Sequence, residues 1–431
     1  MSTFLDTCSE QTWPRHVLCR PLLVAAALLS SVNAETIEVL HRFDPWPNGK
    51  TPRSALVRGA DGAYWGTTGG EPGDGCDGRN LGTIFRLDQN GGVTTVHRFG
   101  VFSNPFDGFS SYPAGSLTRG IDDALYGVTL GGGEFNEGTL FRLDADGTFT
   151  TVHSFSDPNF PWPNGNLAAT DDGGFLGTTR HGGSEGSGTL FRYRQGAGVT
   201  TLHSFSGPDG ERPLAGLIEG QDGSFLGTTS GGGAQDQGTI FRLAADGQVT
   251  TLHSFESANG RIPWAGLTPD LAGGFVGTTY AGGAHDMGTV FHFSAAGVFS
   301  LLHSFNGSND AKPQGTLTVG SNGVFLGTTL SGGSGAHGFG TVFRVTIDGD
   351  FMRLHSFEWS DGAYPTTELT AGPSGRFLGT TSQGGAFGYG AIYTIDEAGD
   401  FELLYTGIIH QGLEKKRKNR FRCLVSKANG E

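Results

Sequence analysis

The chain has 431 residues, of which 75 are glycine, 18 proline and 32 phenylalanine, and it carries 28 basic against 42 acidic side chains. Glycine and proline together make about a fifth of it, close to low-complexity composition, but the phenylalanines recur at a fixed interval, which excludes a disordered chain. Setting aside two acids and two bases in residues 1–34 and two acids and seven bases in residues 407–431 leaves 19 bases and 38 acids, a body that lacks the basic face a nucleic-acid binder needs.

Residues 1–34 hold Arg15 and Arg20, then the apolar run LLVAAALL, then Val32-Asn33-Ala34. This is the pattern of an export signal with small residues where a signal peptidase reads. The apolar run is shorter than the roughly 20 residues a membrane helix needs, and no later stretch approaches that length. The mature chain is therefore expected to be secreted or periplasmic, without a membrane span. Cys8 and Cys19 fall in the leader, and Cys76 and Cys423 alone are too sparse to staple a fold.

From residue 36 onward the chain repeats itself. The unit GTIFRLAADGQVTTLHSF (238–255) has counterparts starting at Gly82, Gly138, Gly188, Gly288, Gly340 and, in worn form, Gly390. A period near 50 residues marks a solenoid or a propeller. Within each unit TIFRLA and QVTTLHSF flank Ala-Asp-Gly, and PLAGLIEG and SFLGTTS flank Gln221-Asp222-Gly223. Each pair reads as an antiparallel hairpin, so one period supplies four strands and no helix, as in a propeller blade.

The Gly-Thr-Thr tripeptide or its variant occurs seven times, from Gly66 to Gly379, whereas the last-strand pattern occurs eight times, at His41, His97, His153, His203, His253, His303 and His355 and, degenerate, at Tyr405. The fold class expected is all-β, a seven-bladed β-propeller of four-stranded antiparallel blades over residues 35–406. Tyr405 and Gly407 depart from the pattern, so the amino-terminal strand IEVLHRF is expected to complete the last blade, with FELLYT displaced. Alternation places Val249, Thr251, His253 and Phe255 on one face of the last strand and Thr250, Leu252 and Ser254 on the other, both to be covered by neighbouring blades. The glycine of FLGTT is expected where sheets converge and crowd. The basic segment 407–431 reads as a disordered tail.

The order of an apolar strand, a diglycine loop (FLGTTSGGG), an aromatic strand (GTIFRL), a DG turn and a last strand resembles the Kelch arrangement without its usual Tyr and Trp. More closely, GTxFRLxxDGxxTxLHSF followed by GxxPxxxL and DGxFLGTTxxGG resembles the exported bacterial repeat named for Gloeobacter and Verrucomicrobia, over about residues 36–406. The resemblance implies a secreted propeller of undetermined biochemical activity.

The one-per-blade histidines His97, His153, His203, His253, His303 and His355 lie around a ring, too far apart to share a zinc ion held at about 2 Å, and are assigned a structural role through hydrogen bonds between strands or blades. No metal and no cofactor is expected. Gly182-Gly183-Ser184-Glu185-Gly186 matches G-x-S-x-G but lies in a glycine-rich loop, not a strand-to-helix elbow, and the Asp-Gly pairs are turn residues.

Function is sought where the repeats differ. The second-to-third-strand loops and the blade-to-blade loops should open on one face, and the long ones, 69–81 and 100–112, are among these. That face gathers Trp46, Phe106, Tyr112, Trp162, Trp264 and Trp359, with Asp74, Asp77 and Asp107, as candidate ligand-binding residues. Aromatic side chains of this kind stack on sugars or anchor proteins. The expected function is a non-catalytic, monomeric binding or scaffold propeller recognising a glycan or a cell-surface protein. The alternative is an extracellular glycan-degrading enzyme using those acids with His181, His285 or His337.

Overall fold

A computed structural model describes residues 51–52, 54–69, 82–88, 92–99, 112–157, 161–307, 310–334 and 337–404. The leader, IEVLHRF, most of both long loops and the basic tail lie outside the described residues. The described chain forms seven antiparallel sheets, each built from consecutive strands, and the sheets close into a ring as a seven-bladed β-propeller. Among the described residues no helix is long and apolar enough to cross a membrane.

Blade 4 is representative. Its first strand, Ile218–Glu219, is innermost, followed by Phe225–Thr229, Thr239–Leu243 and the outermost strand Val249–Ser254. Gly227 pairs with Phe241. A Cβ at Gly227 would meet the Phe241 ring at 2.6 Å and Leu217 at 2.7 Å. The glycine thus makes room for a fully buried phenylalanine inside its own blade. The threonines that follow are buried without loss because they bond to each other, Thr229 Oγ1 to Thr239 Oγ1 at 2.8 Å, and Thr229 Oγ1 also accepts from the Thr239 N–H at 3.1 Å.

The outermost strand departs from simple alternation. Ile240 pairs with His253, but Phe241 pairs with Thr251, so Leu252 is the extra residue of a bulge. Thr250 and Thr251 are both exposed. The expectation that both faces are covered fails here, because the fourth strand is the rim of the ring: Thr250 and Thr251 are regularly paired with Arg242 and Phe241, point to opposite faces, and neither is covered.

Blades are held together by apolar side chains contributed from both sides of each junction. Between blades 4 and 5, Leu226, Ile240 and Phe255 pack against Leu267, Phe275 and Phe291. Phe241, Phe255 and Phe291 are fully buried, and each stabilises the ring by roughly 1.5–3 kcal/mol. The junction between blades 7 and 1 is of the same kind: Leu378 and Ile392 pack on Leu56, Phe85 and Leu87. There the Thr370 hydroxyl donates to the Leu56 carbonyl at 2.7 Å, and the Thr51 N–H donates to the Tyr389 carbonyl at 3.1 Å.

The strand that completes the last blade corrects the sequence expectation. Phe401–Leu403, from FELLYT, pairs with Tyr393, Thr394 and Ile395 as the fourth strand of blade 7. The deciding residue stands at the front of the strand, not at its worn end: Phe401 stacks on His355 of blade 6 at 3.7 Å and 2°. Phe299 and Phe351 do the same on His253 and His303 of the preceding blades, at 4.2 and 3.8 Å. Among the described residues each blade therefore carries its own four strands, and side-chain packing with the Thr370 and Thr51 hydrogen bonds joins blade 7 to blade 1.

At every junction a glycine with φ between 100° and 106° meets the proline that opens the next blade. A Cβ on any of these seven glycines would lie 2.6–2.9 Å from that proline's Cδ, with Gly238 facing Pro263 and Gly390 closing the ring on Pro52. Replacing Gly390 by alanine is expected to cost about 2–4 kcal/mol, since the left-handed backbone alone costs about 1–2 kcal/mol with a side chain and the Cβ strikes the Thr381 carbonyl as well. Gly196, at φ 80° with open space around it, serves as the control and should cost only the backbone penalty, about 1–2 kcal/mol. Urea unfolding of the two variants measures the difference; equal losses would mean that the closing junction is loosely seated.

Candidate functional site

Each blade begins with a proline, three residues and an inward leucine, from Pro52–Leu56 in blade 1 to Pro365–Leu369 in blade 7. These seven segments surround the axis and line a cavity of about 170 Å³. Neighbouring backbones touch there: a Cβ at Gly115 would lie 2.5 Å from the Gly165 carbonyl, and one at Gly315 the same distance from that of Thr367. Side chains link the segments in turn. Ser116 Oγ accepts from the Ala55 N–H at 2.9 Å, Asn166 Oδ1 from the Ser116 N–H at 2.6 Å, and Thr316 Oγ1 from the Gly266 N–H at 3.0 Å.

The residue before the leucine varies around the ring: Ala55, Ser116, Asn166, Gly216, Gly266, Thr316 and Glu368, with glycine in two adjacent sectors. Six of the seven are uncharged. Glu368 is half-buried in the axial wall, and desolvation alone pushes its carboxyl up to about 7 from 4.5. Among the described residues lining the cavity it is the one ionisable group, and none of them hydrogen-bonds to it.

Trp264, the residue after Pro263, stands at the mouth of this cavity. It is 39% exposed and leans edge-on against Tyr280 of the second-to-third-strand loop of its blade, ring centres 5.0 Å apart. Trp162 is 41% exposed against His181 at 5.4 Å, and Trp359 is 44% exposed against Phe339 at 5.5 Å. In all three a tryptophan from a blade-to-blade segment touches a residue of a second-to-third-strand loop. The two sets of loops therefore share one face. Their backbones are tied as well, with the Tyr280 N–H donating to the Ile262 carbonyl at 3.0 Å and the Arg180 N–H to that of Trp162, also at 3.0 Å.

That face is held in an unusual backbone state. Thr51, Trp162, Arg212, Ile262, Lys312 and Tyr364, each directly before the blade-opening proline, have φ between 44° and 61°. This left-handed conformation is disfavoured for residues with side chains. In Arg212, Ile262, Lys312 and Tyr364 the turn aims the N–H at a carbonyl of the preceding blade, at 2.7–2.9 Å, which offsets the cost.

Of the other residues singled out by the sequence, Tyr112 is half-buried and its carbonyl accepts the Leu130 N–H at 2.8 Å. Trp46, Phe106, Asp74, Asp77 and Asp107 lie outside the described residues. His285 and His337 are exposed on separate loops of blades 5 and 6. Ser184, in the G-x-S-x-G match, is exposed between two strands.

The histidine ladder sits at the outer rim of the ring. His97, His253, His303 and His355 stack on a phenylalanine of the next blade, and His203 and His355 hydrogen-bond to Asp209 and Asp361 at 2.7 and 3.0 Å. Burial holds His97, His153, His253 and His303 below the ordinary imidazole value, so these rings are neutral at pH 7. Among the described residues no three His, Cys, Asp or Glu side chains converge as a metal site.

The axial residues escaped the sequence reading. The signal was present, since the proline-to-leucine frame recurs in all seven blades while its fourth position runs from glycine to glutamate. Its meaning depended on knowing that this position faces the axis.

Residues 28–173 and 158–338 match the Gloeobacter/Verrucomicrobia repeat family, and the chain belongs to that family. Its ring is similar to that of a putative 6-phosphogluconolactonase from Bacteroides uniformis, at 16% identity and TM-score 0.50, over 80% of this chain and 96% of that one. It is similar also to a puromycin-hydrolysing peptidase of Mycobacterium tuberculosis, at 11% identity and TM-score 0.52, over 84% of this chain and 56% of that one. At such identities the likeness is one of fold. No curated protein matches in sequence.

Glu368 makes stability depend on pH. The folded carboxyl keeps its proton to about 7, the unfolded one only to about 4.5, so the folded state is favoured most below about 4.5 and loses that advantage as pH rises through 7. Glu368→Gln, which cannot ionise, should match the parent near pH 4 and exceed it by about 1–3 kcal/mol at pH 8. Denaturant melts at the two pH values check this; a gap that does not widen with pH would place the carboxyl in open solvent.

Proposed function

We propose that this protein is an exported, monomeric, non-catalytic propeller that binds a glycan on the face carrying the axial mouth. The observation that supports this most is the arrangement of Trp162, Trp264 and Trp359. All three are about 40% exposed on one face, and Trp264 lines a cavity also walled by Ser116, Asn164, Asn166, Gln314 and Thr316. Half-exposed indoles offer stacking surfaces, and amide and hydroxyl groups in a small concavity fix the orientation of a polyhydroxylated ligand.

Recognition is favoured over turnover because glycoside hydrolysis uses two carboxyl groups about 5–10 Å apart. The described lining of the axial cavity supplies one, Glu368. Export follows from the basic, then apolar, then small-residue pattern of residues 1–34.

Screening the mature protein against an array of bacterial and plant oligosaccharides tests the reading. Binding is expected, and Trp264→Ala should weaken it at least tenfold, with smaller losses for Trp162→Ala and Trp359→Ala, as for stacking anchors worth about 1–3 kcal/mol. Binding unaffected by all three substitutions would remove the basis for this site.

A further inference from the structure

Six of the seven axial positions carry residues that cannot ionise, and the seventh carries a carboxylate. Glu368 lies in the wall of a cavity whose other described lining residues are neutral, and no side chain or backbone N–H among the described residues donates to it. Two described basic side chains that precede blade-opening prolines are engaged elsewhere. Lys312 lies over the Tyr280 ring at 5.6 Å, and Arg212 pairs with Glu211 at 3.9 Å. Among the described residues, this carboxylate is an acceptor without a counter-charge.

A neutral sugar seated over Glu368 would strip its remaining water and supply no charge in return, which is unfavourable. A protonated amine supplies both hydrogen bonds and charge. The surroundings suit the rest of such a ligand. Gln314 makes no side-chain hydrogen bond among the described residues, and Asn166 uses its amide oxygen on Ser116, so its amide N–H groups are left for hydroxyls. Trp264 at the mouth presents an indole, the ring that attracts cations best. The cavity of about 170 Å³ is of the size that holds one small ring, which admits the amine-bearing edge of one sugar unit.

We propose that the axial site selects amino sugars with a free amine, Glu368 receiving the ammonium while Trp264 stacks on the ring. This rests on the glycan reading above and names its ligand class. A divalent cation is the competing occupant; it takes six to eight oxygens, and the cavity offers a single carboxylate.

The test compares binding of the full mature chain to a glucosamine tetramer, an N-acetylglucosamine tetramer and a glucose tetramer by calorimetry, at pH 7.5 and 5, with and without EDTA. At pH 7.5 the free-amine tetramer should bind at least tenfold tighter than the other two, with no effect of EDTA. The preference should shrink at least fivefold at pH 5, where Glu368 is protonated. Glu368→Gln should abolish the preference by weakening the free-amine tetramer at least tenfold without weakening the acetylated one, while Trp264→Ala should weaken all three alike. Equal binding of the three tetramers with loss in Trp264→Ala would overturn the amine selection and keep the glycan site. A preference that survives Glu368→Gln, or one that vanishes in EDTA, would overturn it too. No binding of any tetramer at millimolar concentration would sink both readings.

Discussion

A glycine pressed against a proline is the contact on which this ring depends. At each of the seven junctions the glycine that opens the third strand adopts a left-handed backbone, and the ring of the next blade's proline occupies the space where a side chain would begin. The proline needs no N–H at that point, and its fixed φ directs the chain inward toward the axis. The residue before it takes up the turn, in six blades with a positive φ of its own. Two adjacent residues thus set the distance and angle between sheets. The phenylalanine-rich clusters on either side then fill a gap whose dimensions are already fixed.

This division explains why the blades resemble each other and why their inner and upper edges do not. The Phe241 type of residue and the paired threonines have the same partners in blades 1 to 6, so they repeat there; blade 7 has Tyr393 and Ala391 at those positions. The residue before the inward leucine faces the axis, where each sector meets different neighbours, and it ranges from Gly216, where a Cβ would strike the Asn166 carbonyl, to Glu368. Ligand discrimination in a near-symmetric ring has to come from such positions, because a ligand that fits one sector of a symmetric wall fits all of them.

Blade number, hairpin positions and the face shared by the variable loops were legible in the sequence, because each is written several times over in residues with one conformational meaning, such as the Asp-Gly turns and the Gly-Thr-Thr strands. Closure was not. The worn end of FELLYT hid the fact that Phe401 keeps the stacking partner of Phe299 and Phe351, a relation that spans two blades and leaves no local pattern. The bulge at Leu252 was equally hidden, since an extra residue in an outermost strand alters which way side chains point without altering their spacing. The site was half legible. Exposed tryptophans announce themselves by rarity, whereas Glu368 reads as one surface acid among 42 until the axis is located.

A blade that owns all four of its strands has a consequence for how such rings arise. When the last blade borrows a strand from the start of the chain, adding a module requires the two ends to be matched anew. Here a whole unit of about 50 residues can be copied or deleted between one proline and the next, and every boundary it creates is the one already present elsewhere. The ring size is then set by the wedge angle alone, and unequal crossing-over between repeats in the gene yields complete structural modules instead of severed ones.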